Sequence, residues 1–151
     1  MIVTISGTPG SGKSTAGKLI AKKLGLKHYS IGNLMRSMAK EKGLTLGELG
    51  ELAKTDNGKI DHELDEMQIK LGEIENNFVI DGRLSFHFLP KSIKIFISAD
   101  VEERARRIYS DIVNGLRDSE TADSLIDEIS KIKKREKIEI ERYEQYYKIN
   151  P

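Results

Sequence analysis

Alternation and helical spacing divide the chain into distinct stretches. Ile2 to Ser6, Lys27 to Ser30, Phe78 to Asp81 and Ile93 to Ser98 carry the short apolar or alternating runs of β-strands. The β-branched residues of the first and third suit a sheet buried on both faces. Between the first two strands, Lys13 to Leu24 sets Ala16, Leu19, Ile20 and Leu24 on one helical face, and Gly25 stands where a C-terminal cap is expected. The order strand, helix, strand predicts an α/β fold with a parallel sheet.

From Asn33 to Gly72 the pattern is wholly helical, and Gly43, Gly47, Gly50 and Gly58 are expected to break it into short pieces. This long excursion between two strands predicts a helical insert over residues 31–73. Within it Ile60, Leu64, Met67 and Leu71 recur at helical spacing as an apolar stripe, and Asp61, Asp65 and Gln68 line the stripe beside it. Val101 to Val113 predicts a further helix and Asn114-Gly115 a break. A long charged helix follows from Ser124 to Tyr147, with Leu125, Ile129, Ile132, Ile140, Tyr143 and Tyr147 in register.

Composition narrows the classes of function. A chain of 151 residues, 38% hydrophobic, suffices for one core, so residues 1–151 are expected to fold as a single domain. The 25 basic and 24 acidic side chains nearly cancel, which argues against nucleic acid or anionic lipid as partner. Any phosphate site must therefore be built from local charge. The absence of cysteine excludes disulfides and cysteine metal sites and agrees with a reducing cytoplasm. No apolar run approaches membrane-spanning length, and Met1 leads directly into Ile-Val-Thr-Ile-Ser with no basic segment before it, so neither a span nor a signal peptide is expected. These readings predict a cytoplasmic protein with small-molecule partners. A monomer is expected more readily than an oligomer.

The chemistry begins at Gly7-Thr8-Pro9-Gly10-Ser11-Gly12-Lys13-Ser14-Thr15, which matches G-x-x-x-x-G-K-[ST] between a predicted strand and a predicted helix. Glycines let the backbone wrap phosphate oxygens, and the amides of the loop and helix N-terminus favour negative charge. Lys13 is placed to bridge the outer phosphates of ATP, Ser14 to offer a hydroxyl to Mg2+, and Thr15 to touch an inner phosphate. A glycine-rich turn capping an ordinary helix is the plainer alternative, and the strand-to-helix context speaks against it. No N-K-x-D base-reading motif of a GTPase is present, nor the signature helix of a transporter ATPase.

Two further segments lie where open α/β sheets bind ligands. Ser30-Ile31-Gly32-Asn33-Leu34-Met35-Arg36 resembles the S-T-G-D-L-L-R segment of nucleoside monophosphate kinases. Ser30 and Gly32 make a turn opening a helix towards an anion, and Arg36 supplies a bidentate fork for a monophosphate. Val79-Ile80-Asp81-Gly82-Arg83 sets a carboxylate and an arginine at a strand end. Asp81 is positioned for Mg2+ or its waters, and Gly82-Arg83 for the acceptor phosphate. A solvated helix arginine and a plain Asp-Gly turn are the structural alternatives.

Beyond these, the order of segments closely resembles the archaeal-type cytidylate kinase family. It does so in M-I-V-T-I-S-G-x-P-G-S-G-K at the start, I-D-x-E-[LI]-D-x-x-Q at Ile60 to Gln68, and acid-Gly-Arg-Leu at Asp81 to Leu84. The likeness covers residues 1 to about 109 and returns near Arg135-Glu136 and Arg142-Tyr143. It implies a P-loop NTPase fold of three layers and transfer of a phosphoryl group from ATP to CMP or dCMP. It implies that Asp61, Asp65 and Gln68 face the acceptor base, and that Ser98 to Arg107 opens a lid over residues 104–135. Arg104 would then meet adenine or phosphate, with Arg107 and Arg135 beside it, and Arg117-Asp118 would stand at the lid tip. Arg106 and Arg142 read as solvated or paired with glutamates, and His28, His62 and His87 as structural or exposed. The resemblance also implies a final strand and helix beyond the long helix, which Ile149-Asn150-Pro151 does not supply. Adenylate kinase or another small-metabolite kinase remains open, because Arg36 and Arg83 read phosphate and not base. An adenylate-kinase-like ATPase acting as an assembly module also remains open.

Overall fold

The computed structural model describes residues 1–117 and 120–149, so Asp118 of the expected lid tip lies outside the described residues. Its elements are β1 (Ile2–Gly7), α1 (Lys13–Leu24), β2 (Lys27–Ser30), α2 (Ile31–Glu41), α3 (Leu46–Thr55), α4 (Lys59–Ile74), β3 (Phe78–Asp81), α5 (Ser85–Phe88), β4 (Ile93–Ile97), α6 (Val101–Val113) and α7 (Leu125–Tyr147). They divide into two compact units, one of Met1–Gly32 with Ile60–Ser98, the other of Asn33–Lys59 with Ala99–Pro151.

In the first unit the four strands pair in parallel in the order β2, β3, β1, β4. Parallel neighbours cannot be joined by tight turns, so a helical crossover covers each face. Strand alternation sorts the side chains. Val3, Ile5 and Val79 pack with Ala21 and Ile20 of α1, while Phe78 and Ile80 pack with Leu71 of α4 and with Leu89 at the end of α5. The result is the three-layer α/β fold of P-loop NTPases. Each large aliphatic or aromatic side chain withdrawn from water in these layers contributes about 1.5–3 kcal/mol.

The seam of α1 differs from the expected stripe. Gly17 and Ala21 are its buried residues, and Leu19 and Leu24 are half exposed. Small side chains let α1 approach the sheet closely, and that close approach, not bulk, decides the inward face. Gly25 caps the helix in the left-handed conformation, its N–H donating to the Ala21 carbonyl. Met67 also falls outside its expected stripe. It is exposed, while Ile60, Asp61, Leu64 and Gln68 form the buried face of α4.

The second unit is helical. Breaks fall at Gly43 and Gly58, whereas Gly47 and Gly50 lie inside α3, contrary to expectation. Both are tolerated there because a capping box starts the helix. The Thr45 Oγ1 accepts from the Glu48 N–H at 3.2 Å, and the Glu48 carboxylate accepts from the Thr45 N–H at 2.7 Å. Ala105, Ile108 and Ile132 join α6 to α7 in one core cluster. Tyr146 donates to the Ala53 carbonyl at 3.2 Å and ties α7 to α3. No helix among the described residues is long and apolar enough to cross a membrane.

Glu128, in the first turn of α7, is buried among these helices. Burial, followed by the neighbouring charge of Glu120, pushes its carboxyl up to about 7, against a smaller pull from Lys131 and Arg117. Between the ordinary carboxylate value and about 7 the native state therefore holds a proton that the unfolded chain has released, and stability falls as pH rises through that window. Glu128→Gln is expected to match the parent in thermal melts at pH 4.5 and to melt higher than the parent at pH 8. An unchanged difference between the two pH values would show that Glu128 titrates normally.

Candidate active site

β1 delivers the chain to Gly7, where a Cβ would lie 2.0 Å from the Ile97 carbonyl oxygen of β4. Only glycine permits that approach, and its φ of 148° also disfavours other residues. The loop from Thr8 to Gly12 then turns back on itself, with the Ser11 N–H donating to the Thr8 carbonyl at 3.2 Å and Gly10 and Gly12 at positive φ. Gly12 is the N-cap of α1 and supplies no side chain to the first-turn amides, so the positive end of the helix faces the loop. The Lys13 ammonium folds over it, donating to the Thr8 carbonyl at 2.7 Å. Pro9 and Ser11 are buried and Thr15 is exposed.

The register of β3 between β1 and β2 completes the site. Ile5 and Ser30 both stand opposite Asp81, and the Gly82 N–H donates to the Ile5 carbonyl at 3.1 Å. Asp81 is only 2% exposed. Its Oδ1 accepts from the Ser14 hydroxyl at 2.9 Å and from the Ser30 hydroxyl at 3.0 Å, and its Oδ2 lies 2.7 Å from His28 Nε2. Arg83 donates from Nη1 to the Gly7 carbonyl at 3.2 Å, which brings its guanidinium to the start of the loop. Gly82 is buried, and a Cβ there would meet the Ser85 hydroxyl at 2.3 Å.

Among the described residues no three His, Asp or Glu side chains converge as a metal cage. Ser14 and Asp81 instead offer hard oxygen donors 2.9 Å apart at the loop. That set fits Mg2+, which takes one or two protein ligands and completes its shell with phosphate and water.

On α4, Asp61 and Gln68 are buried and Asp65 is half-buried. The Gln68 amide is anchored: Nε2 donates to the Leu64 carbonyl at 3.2 Å, and Oε1 accepts from the Ser85 hydroxyl at 2.7 Å. Gly32 lies in the first turn of α2.

The remaining arginines belong to the second unit, where carboxylates hold five of them, Arg36, Arg104, Arg107, Arg117 and Arg135. Arg36 donates to the Asn33 side chain and stands 3.5 Å from Glu120, which also accepts from Arg117 at 3.0 Å. Arg104 is buried and donates to Glu136 at 2.6 Å; Arg107 pairs with Glu103 at 2.8 Å on the exposed side of α6. Arg135 donates to Glu139 at 2.9 Å. Burial works against its charge, but Glu139 and Glu120 outweigh it and raise its pKa. Arg106 is exposed as expected. Arg142 is not solvated: it is 1% exposed, its guanidinium 5.2 Å from the centre of the Tyr143 ring. Long amphipathic stems let arginines fill a core between helices.

Sequence reasoning missed His28 as a site residue and Glu120 as the shared partner of two arginines. His62 and His87 are exposed, as expected. A signal for His28 existed. Strand alternation puts it on the same face as Ser30, two residues on, and that face leads to Asp81.

A glycine loop feeding a helix, with a buried strand-end carboxylate bonded to the serine after the loop lysine, defines the chain as a P-loop nucleotide-binding protein. Comparison with known proteins agrees. A family described as an AAA domain matches residues 6–129. The cytidylate kinase of Methanobrevibacter smithii is 35% identical over 150 residues, covering 99% of this chain and 81% of that protein. That of Archaeoglobus fulgidus is 44% identical over 109 residues, covering 72% of this chain and 60% of that protein. Within the P-loop proteins, the chain belongs to the archaeal cytidylate kinase family. Among solved structures, a shikimate kinase from Bacteroides thetaiotaomicron superposes with a TM-score of 0.58 at 19% identity, covering 96% of this chain and 82% of that one, a likeness of fold alone.

Gly7→Ala tests the loop geometry. The collision with the backbone of β4 and the unfavourable φ are expected to lower stability by about 1–3 kcal/mol and to weaken nucleotide binding. Denaturant unfolding and calorimetric titration with ATP measure the two effects, and a variant indistinguishable from the parent would refute the geometry.

Proposed function

We propose that the chain is an ATP-dependent nucleoside monophosphate kinase whose acceptor is CMP or dCMP. The Ser14–Asp81 pair at the mouth of the glycine loop, with Arg83 bonded to the first glycine, is the observation that carries the reading. The names of the relatives favour cytidine over other bases.

An acceptor phosphate oxygen is already anionic at neutral pH, so it needs no strong base. It attacks the γ-phosphorus of ATP as the bond to the bridging oxygen breaks, giving CDP and ADP. The barrier is alignment of two polyanions and the charge spread over the transferring group, and preorganised donors lower it. Loop amides from Gly7 to Ser14, Lys13 and Thr15 hold the donor; Arg83, Arg36, Ser30 and Gly32 hold the acceptor phosphate. Mg2+, held through Ser14 and Asp81, would neutralise charge between the phosphates. Asp61, Asp65 and Gln68 form the base-reading face of an insert spanning residues 31–73. Residues 104–135 act as a lid whose Arg104, Arg107 and Arg135 exchange carboxylate partners for phosphate and exclude water as a competing nucleophile. The lack of cysteine fits a cytoplasmic enzyme, and the balanced charge fits small nucleotides and not nucleic acid as its partners.

A coupled phosphotransfer screen across CMP, dCMP, UMP and AMP tests the function. Highest kcat/KM is expected with a cytidine acceptor; ATP loss that no monophosphate accelerates would overturn it. Lys13→Ala is expected to lower transfer by at least about 10²–10³-fold with the unfolding midpoint unchanged. Asp65→Ala is expected to reduce kcat/KM for CMP about ten-fold more than for AMP, since a lost bond to a charged group is felt only by the base that makes it. Equal losses for the two acceptors would remove α4 from base reading.

A further inference from the structure

We propose that His28 is a positioning residue of the phosphotransfer site. It fixes the Asp81 carboxylate so that Asp81 holds the Ser14 proton and leaves the lone pairs of that hydroxyl turned to Mg2+.

The argument starts from what holds Asp81. A carboxylate on a single sp3 carbon can rotate, and both serine contacts fall on one of its oxygens. The third contact restrains the other. His28 Nε2 lies 2.7 Å from the opposite oxygen, and an ionised carboxylate only accepts, so Nε2 carries the proton and donates it. Asp81 is thereby held by β2 on one oxygen and by β2 and α1 on the other. The His28 side chain is 13% exposed and that of Asp81 3%, so the pair sits in a medium where a charge-assisted bond is stronger than in water.

Room for the ring is built into the fold. A Cβ at position 17 would lie 2.6 Å from His28 Nε2 and 2.9 Å from Cδ2, so the glycine in the second turn of α1 leaves the space that the imidazole fills. Glycine inside a helix costs about 0.5–1 kcal/mol relative to alanine, and the contact with His28 supplies the reason for it. Register supplies the rest. His28 stands opposite Val79 and Ser30 opposite Asp81, so His28, Ser30 and Asp81 share the α1-facing side of the sheet. Ser14 reaches the same carboxylate from the first turn of α1. A residue that orients a group holding a metal ligand acts as an outer partner of the metal, and loss of such partners commonly costs about 10–100-fold in metal affinity or activity.

This inference rests on the reading that the site takes Mg2+ and ATP. Its test therefore measures ATP affinity calorimetrically, with Mg2+ and in excess EDTA, in the parent chain, His28→Leu and His28→Gln, alongside kcat, KM for CMP and thermal melts. His28→Leu keeps bulk without the donor; His28→Gln restores an N–H on a flexible arm. In the parent, Mg2+ is expected to strengthen ATP binding. In His28→Leu that strengthening should shrink at least about ten-fold, with affinity in EDTA and KM for CMP unchanged within two-fold and kcat reduced about 10–100-fold. His28→Gln should recover part of both losses. If His28→Leu melts like the parent and retains its full Mg2+ effect, the positioning role is overturned. It is overturned equally if ATP binding in EDTA falls as much as binding in Mg2+, or if His28→Gln is no better than His28→Leu. Absence of any Mg2+ effect in the parent would instead sink the underlying reading of the site. Should His28→Leu melt early, Gly17→Ala, which crowds the ring, must reproduce the selective loss of the Mg2+ effect for the proposal to stand.

Discussion

The register of β3 against its two neighbours governs the chemistry of this molecule. Pairing sets Asp81 opposite Ile5 of β1 and Ser30 of β2, so the carboxylate reaches the end of the sheet two residues short of Gly7. The loop, the first turn of α1 and the Asp81-Gly82-Arg83 turn then meet without any long side chain having to search for them. A slip of one residue in β3 would carry Asp81 to the other face, beside Phe78 and Ile80, and would bury a charge in an apolar layer.

The second unit solves a different problem, that of storing arginines. Arg36, Arg104, Arg107, Arg117 and Arg135 each have a carboxylate within 4 Å, and Glu120 serves two of them. Isolated guanidinium groups so placed would repel one another. Carboxylates neutralise them and hold their orientation at modest energetic gain where the pairs are exposed, more where they are buried. Partners of similar chemistry, phosphate oxygens among them, can replace carboxylates on the same forks.

Much of this was legible in the chain itself. The bounds of α1, β2, β3 and α6 follow from period and punctuation, because Gly25 and the Asn114-Gly115 pair end helices where the apolar pattern ends. The glycine loop was readable because its spacing is imposed by phosphate and by the helix that follows. What escaped was determined by close packing. Gly17 and Ala21 turn α1 inward against the bulkier Leu19, a choice made by the approach of helix to sheet and invisible to a hydrophobic count. Arg142 read as solvated or paired with glutamates because a charged residue within a long helix usually is, and its burial follows from helix packing that no spacing records. His28 meets Asp81 across 53 positions of sequence, a distance over which only the pairing of β2 with β3 carries information.

Parallel pairing of β1 also has a consequence for the chain as it is made. Ile2 finds its partner only at Phe78, and Val3 its other partner only at Ile93. A ribosome adding about 5–20 residues per second leaves the nascent N-terminal segment waiting roughly 4–15 s for the first of them. During that interval Ile2, Val3 and Ile5 have no sheet to join, and α1 must form beside a strand that does not yet exist. Crossover topologies of this kind fold slowly because loop closure precedes its reward, and here the strand that leads into the phosphate loop is synthesised before either strand it pairs with and finds its place only after both have emerged.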